Sequence, residues 1–198
     1  RKPFFVGGTG VGFSVCGSCL AGFMEKTGMP FQLLNYGRGE LPDKHPLSLT
    51  ETGSIGLMTS IQQADVIVAA GLRFNWILQS GAIIPPSAKV VRIDIDPHEI
   101  DRNRMADVGL VGDVGSVLSQ LTPLLNQRDH SGWIETLRAA SSSLLDYEIR
   151  MRANPSDPIH PLRLVARIQE FAGEDALYIA DGGDTVYFGI TGFSSRHR

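Results

Sequence analysis

Lys89-Val90-Val91-Arg92-Ile93-Asp94-Ile95-Asp96-Pro97-His98-Glu99-Ile100 is the stretch that decides the fold. It reads as a buried strand that ends in two carboxylates and is stopped at once by proline. Val90, Val91, Ile93 and Ile95 make a short, nearly continuous apolar run, the pattern of a parallel strand covered on both faces. Asp94 and Asp96 fall at its carboxyl end, where open α/β sheets bind their ligands. A carboxylate there can accept hydrogen bonds from the two hydroxyls of a ribose. The same two residues can instead cap the next helical turn, with Pro97 at its first position.

Strands and helices alternate on either side of this run. Phe4-Phe5-Val6 predicts a strand and residues 7–12 a glycine turn. Phe13 to Lys26 predicts one amphipathic helix, closed by Gly28 in the left-handed conformation. Pro30 to Leu34 is a second strand, followed by a polar loop with Gly37, Gly39 and Pro42. A helix near Ile55 to Gln63 leads into the strongest strand, Asp65 to Ala70, and Leu72 to Pro86 is irregular. A short helix at 97–102, a weak strand at Val108 to Val111, and a helix capped by Asp113 and running through Leu125 complete the series. This βαβα order predicts a doubly wound parallel α/β sheet over residues 1–126.

The pattern changes after residue 126. Residues 127–158 predict a helical linker, with a helix from Trp133 to Met151 broken by Asn154-Pro155-Ser156-Asp157-Pro158. Residues 159–198 begin a second α/β domain, with a helix from Leu162 to Phe171. A strand from Ala176 to Ala180 then runs into Asp181-Gly182-Gly183.

At 198 residues and 42% hydrophobic, the chain can bury one sizeable core plus extra elements. Its net charge of −3, with acids and bases interspersed, gives no electrostatic footprint for nucleic acid, and the short Arg196-His197-Arg198 tail does not alter that. The apolar runs fall far below the length of a membrane span. Arg1-Lys2-Pro3 opens the chain without a methionine, which predicts a piece of something longer or a processed product. Cys16 and Cys19 form a C-x-x-C whose spacing puts both sulfurs on one helix face beside Leu20 and Phe23, as ordinary core. Reduced thiols imply a cytoplasmic setting.

The glycines invite a dinucleotide reading, but the fingerprint is incomplete. G-x-G-x-x-G needs a third glycine and an acidic residue about 20 positions on. Here Phe13 stands at the third glycine position, and the second strand ends Leu34-Asn35-Tyr36 without a carboxylate. The turn still permits close backbone approach to a phosphate. No P-loop, G-x-S-x-G or H-E-x-x-H motif is present, so no nucleophile with its base, and no metal set, can be assembled.

Four segments, taken in order, resemble the central domain of the thiamine-diphosphate-dependent enzymes of the acetolactate synthase and benzoylformate decarboxylase superfamily. They are residues 2–10 (KPFFVGGTG), residues 37–49 (GRGELPDKHPLSL), residues 64–74 (ADVIVAAGLRF), and residues 89–100 followed by Val111-Gly112-Asp113. His160-Pro161 before a helix, then Asp181-Gly182-Gly183, resembles the opening of that family's diphosphate-binding domain.

The resemblance implies a Rossmann-like central domain, akin to FAD- and NAD-binding ones, and a truncated diphosphate-binding domain. It implies thiamine diphosphate and Mg2+ in the full-length enzyme, a 2-keto acid substrate, and a homodimer or homotetramer that includes N- and C-terminal domains absent here. By the same resemblance this chain alone carries no catalytic residue and is inactive. Relatives bind FAD or ADP in the central domain, which implies Gly8, Gly10, Arg73, Asp94 and Asp113 for a nucleotide and Asp181, Gly182 and Gly183 for the diphosphate. Asn75, Trp76 and Ile77 replace the flavin loop's acidic pair and second arginine. A stand-alone FAD-, NAD- or ADP-binding module and a structural assembly domain are the alternatives.

Overall fold

Alternate residues of each central strand enter two different cores, which is why the strands read as continuous apolar runs. A computed structural model describes residues 1–173 and 176–193; Arg196-His197-Arg198 lie outside them. Five strands, β1 (Pro3–Gly7), β2 (Phe31–Leu33), β3 (Val66–Ala70), β4 (Lys89–Asp94) and β5 (Val108–Val111), form one parallel sheet in the order β2-β1-β3-β4-β5. The helices are α1 (Thr9–Phe13), α2 (Gly17–Thr27), α3 (Gly53–Gln63), α4 (Val114–Leu121), α5 (Ser131–Ala153), α6 (Pro161–Ala172) and α7 (Gly183–Gly192). The winding reverses between β1 and β3, so the crevice of this sheet lies beyond Gly7 and Ala70.

On one face Phe4, Val6, Ile67, Ala69 and Val90 meet Leu57 and Ile61 of α3 and Trp133 and Leu137 of α5. On the other, Phe5, Val68, Ala70 and Ile93 meet Val11, Leu20, Phe23 and Met24, with Val114 and Leu118 of α4. Burying one such side chain is worth roughly 1.5–3 kcal/mol, against about 1 kcal/mol net for a ladder hydrogen bond, so the two apolar faces carry the sheet. The β2 edge is closed by the following loop, because Phe31 N–H donates to Leu47 O and Leu49 N–H donates to Phe31 O. The start of α5 belongs to the first core. Trp133 Nε1–H donates to Pro3 O at 2.9 Å, and Leu137 is fully buried.

Several expectations are corrected. The single helix expected from Phe13 to Lys26 is two, α1 and α2, broken at Ser14-Val15-Cys16. Val15 stands at φ +48°, a conformation that costs a β-branched residue energy, and Ser14 Oγ is held by the Gly115 N–H at 2.9 Å. Cys16 therefore precedes α2 instead of sharing a helix face with Cys19. Ile95 is 72% exposed, since β4 ends at Asp94. Residues 97–102 hold one 3-10 turn, Pro97–Glu99, and α4 gives way to another at Thr122–Leu124.

Residues 176–180 form no strand. No strand among the described residues lies beside them, and an unpaired strand leaves its backbone polar groups to water. Leu177 and Ile179 are both 87% exposed there. The helix α7 was not expected, because Gly183, Gly189 and Gly192 interrupt any helical pattern.

Leu137→Ala should lower stability by about 2–5 kcal/mol in urea unfolding, as for a fully buried leucine. A change under about 0.5 kcal/mol, the size of an ordinary surface substitution, would show that α5 only leans on the sheet.

Candidate functional site

The loops leaving the carboxyl ends of β1 and β3 pack backbone against backbone. Gly8 N–H donates to Ala70 O and Gly10 N–H to Gly71 O, both at 2.9 Å. A Cβ on Gly8 would stand 2.5 Å from Gly71 O, and one on Gly10 2.6 Å from Gly71 Cα. Tyr36 O leaves no more room at Gly12, where the distance would be 2.1 Å. Glycine at 8, 10 and 12 is thus accounted for by contact between loops. Two of the amides that a phosphate would use are already engaged.

Both carboxylates at the end of β4, Asp94 and Asp96, accept from nearby backbone. Asp94, buried, accepts from Asp96 N–H at 3.0 Å, and Asp96 accepts from His98 N–H at 2.9 Å with Pro97 at the first helical position. Asp113 caps α4 by accepting from Ser116 N–H at 3.0 Å. That bond, with the Ser14 hydroxyl, holds its carboxyl below the usual carboxylate range. Arg73 points outward, its side chain 75% exposed, with Nε 3.6 Å from the buried Glu99 carboxylate. Glu99 also takes Arg102 at 3.0 Å.

The structure thus brings Gly8, Gly10, Arg73, Asp94 and Asp113 to one end of the sheet. Asp181, Gly182 and Gly183 belong to a separate turn that opens α7. There Gly182 and Gly183 have φ of +76° and +41°, and among the described residues nothing lies within 4 Å of a Cβ on either. Burial pushes the Cys16 thiol up to about 11, so at neutral pH it holds no nucleophilic thiolate.

Sequence reasoning missed two arginines. Arg92 is 1% exposed in β4, with its guanidinium 4.0 Å from the Phe74 ring centroid. Its Nη2 donates to Leu72 O and its Nη1 to Arg102 O, which fixes the loop carrying Arg73. Burial pushes this guanidinium below its ordinary value, while Asp94 and Glu99 pull it back. The signal was present: a charged residue inside a strand covered on both faces needs buried partners. Arg38, in the loop after β2, gave no such signal. It forms a fork with Asp43, Nη2 lying 2.7 Å from the carboxylate.

The model of the family described as thiamine pyrophosphate enzyme, central domain, matches residues 1–121. An acetolactate synthase of Mycobacterium avium is 31% identical over 193 residues, covering 92% of this chain and 31% of that protein. The 2-hydroxyacyl-CoA lyase 1 of Mus musculus is 30% identical over 211 residues, covering 100% of this chain and 35% of that protein. A probable acetolactate synthase large subunit of Methanocaldococcus jannaschii is 31% identical over 88% of this chain and 30% of its own length. The chain spans about a third of the length of the curated relatives it matches.

Two stability measurements check this geometry. Gly10→Ala should destabilise by about 1–3 kcal/mol, the range for overpacking. Gly22→Ala, inside α2 with open space around it, should stabilise by roughly 0.5–1 kcal/mol. Equal effects would refute the loop contact. Asp113→Ala should cost about 1 kcal/mol as a lost cap. Because the folded carboxyl titrates below its unfolded value, that difference should hold above the ordinary carboxylate range and shrink as pH falls through the lowered value. A difference independent of pH down to full protonation would show that the carboxylate charge plays no part.

Proposed function

The chain belongs to the thiamine pyrophosphate enzyme family, whose central domain it carries, and on that premise we propose its role. It is part of a thiamine-diphosphate-dependent enzyme acting on 2-keto acids or acyloins, an acetolactate synthase-like carboligase or a decarboxylase. The observation that supports this is one of extent. The central-domain match covers residues 1–121, and the alignment with the mouse lyase continues through the whole chain, including the turn that opens α7.

That turn fits a diphosphate. Gly182 and Gly183 leave open space where side chains would sit, and they start a ten-residue helix without a side-chain cap. The amides of its first turn would hold diphosphate oxygens, favoured by the helix dipole. A Mg2+ ion would offset the charge of a diphosphate set beside Asp181 and Asp184. When bound, thiamine diphosphate supplies carbanion chemistry at a carbonyl carbon. We assign no catalytic residue within this sequence.

A nucleotide, FAD or ADP, fits the carboxyl end of the sheet less well. The Gly8 and Gly10 amides are engaged, and Asp94 and Asp113 hold backbone N–H groups. Arg73, outward and charged, is the position retained for that role. The intact enzyme is proposed as a cytoplasmic homodimer or homotetramer with further domains. The exposure of Phe171, Leu177 and Ile179 also supports a second reading, an assembly platform that buries these side chains against neighbours.

Reconstitution of the intact protein tests the proposal. With thiamine diphosphate and Mg2+ it should consume a 2-keto acid such as pyruvate, and Gly183→Ala should raise the thiamine diphosphate concentration needed for half-maximal rate. Turnover of no 2-keto acid or acyloin from a broad panel, with the cofactor saturating, would contradict it and favour the platform.

A further inference from the structure

α7 is held at its carboxyl end by arginines from outside its own helix pair. Arg38, in the loop that follows β2, donates from Nη1 to Ile190 O and from Nη2 to Phe193 O. Its Nε and Nη2 grip both oxygens of Asp43, whose side chain is 1% exposed against 17% for Arg38. Arg152 of α5 adds a longer contact, Nη2 to Thr191 O at 3.4 Å. These carbonyls lie in or just past the last turn of the helix, where backbone oxygens lack helical partners and the dipole is negative. A planar guanidinium offers five donors in a fixed fork to a carboxylate and two carbonyls together, where an ammonium offers three without that geometry.

We infer that Arg38 is a positioning residue, a clamp through which the central domain sets where α7 lies and therefore where the Gly182-Gly183 turn presents its amides. This deepens the reading of that turn as the diphosphate grip and rests on it. A ten-residue helix is a rod of about 15 Å, so movement at its carboxyl end is carried to its amino end. Gly192 lies against Val165 of α6, where a Cβ would come within 2.6 Å, so α6 holds the same end of the rod. The opposite end is open: among the described residues nothing comes within 4 Å of a Cβ at Gly182 or Gly183. The position of the grip is thus decided at the far end of the helix. Among the described residues the partners of Arg38 are Asp43, Ile190 and Phe193, none of them in the turn.

The test compares the intact protein with its Arg38→Ala and Arg38→Lys forms. It reads amide hydrogen exchange across 183–192 and the affinity for thiamine diphosphate. In Arg38→Ala, exchange in 183–192 should rise about tenfold while β1 and β3 keep their protection, as for the opening of one local unit. Affinity should fall about tenfold with kcat at saturating cofactor nearly kept, since a displaced positioning group weakens binding geometry. Arg38→Lys keeps the charge without the fork and should lie between; it decides the matter if the alanine form loses protection everywhere. Unchanged exchange, or raised exchange with unchanged affinity, overturns the clamp. A wild type that binds no thiamine diphosphate overturns the reading of the turn instead, and is told apart because exchange in 183–192 still responds to Arg38.

Discussion

The close approach of two backbones at the point where the sheet reverses its winding constrains everything around it. Gly8 and Gly10 meet the backbone of Gly71 and Leu72 directly, joined by the Gly8–Ala70 and Gly10–Gly71 hydrogen bonds. Beside that contact α1 runs for five residues, and Tyr36 lies against Gly12. The chain then needs the break at Ser14-Val15-Cys16 to lay α2 on the sheet. Ser14 turns the break to use by joining the Gly115 N–H and the Asp113 carboxylate, which ties α4 to the same corner. A glycine-rich turn after a first strand is commonly read as a phosphate cradle. Here its geometry is explained by protein against protein.

The fold was legible because its signals are two-sided. Val66 to Ala70 is apolar on both faces, and Val90, Val91 and Ile93 make β4 nearly so apart from Arg92, the pattern of a parallel sheet covered by helices. The caps were legible too: Gly28 does close α2 at φ +63°, and Asp113 does cap α4. What the sequence hid depends on distant partners. The break in the first helix is tied to Gly115, a hundred residues away, through Ser14. The strand expected at 176–180 has the composition of a strand, but composition supplies no neighbour to pair with.

The candidate site was legible in part, for the same reason. Asp94 and Asp96 were open to two readings, ligand hydroxyls or capping, and in the structure both accept from nearby backbone N–H groups. Arg73 was visible as a charge in an otherwise apolar loop, yet its direction is set by Arg92 beneath it, which holds Leu72 O and stacks on Phe74. Arg92, buried, organises the loop after β3, and Arg38, half-buried, reaches the end of α7. Each does so by donating to carbonyls that local structure leaves without partners, a role no local pattern in the sequence announces.

The division of labour follows. The sheet end is packed and capped by its own residues, whereas the turn at Asp181-Gly182-Gly183 presents open backbone at the start of a helix. The most direct measurement is a crystal structure of the intact protein grown with thiamine diphosphate and Mg2+. The account predicts diphosphate density on the amides that open α7, with the Gly8 and Gly10 amides still bonded to Ala70 and Gly71. Diphosphate density seated instead on the Gly8-Gly10 turn, with those bonds broken, would contradict it.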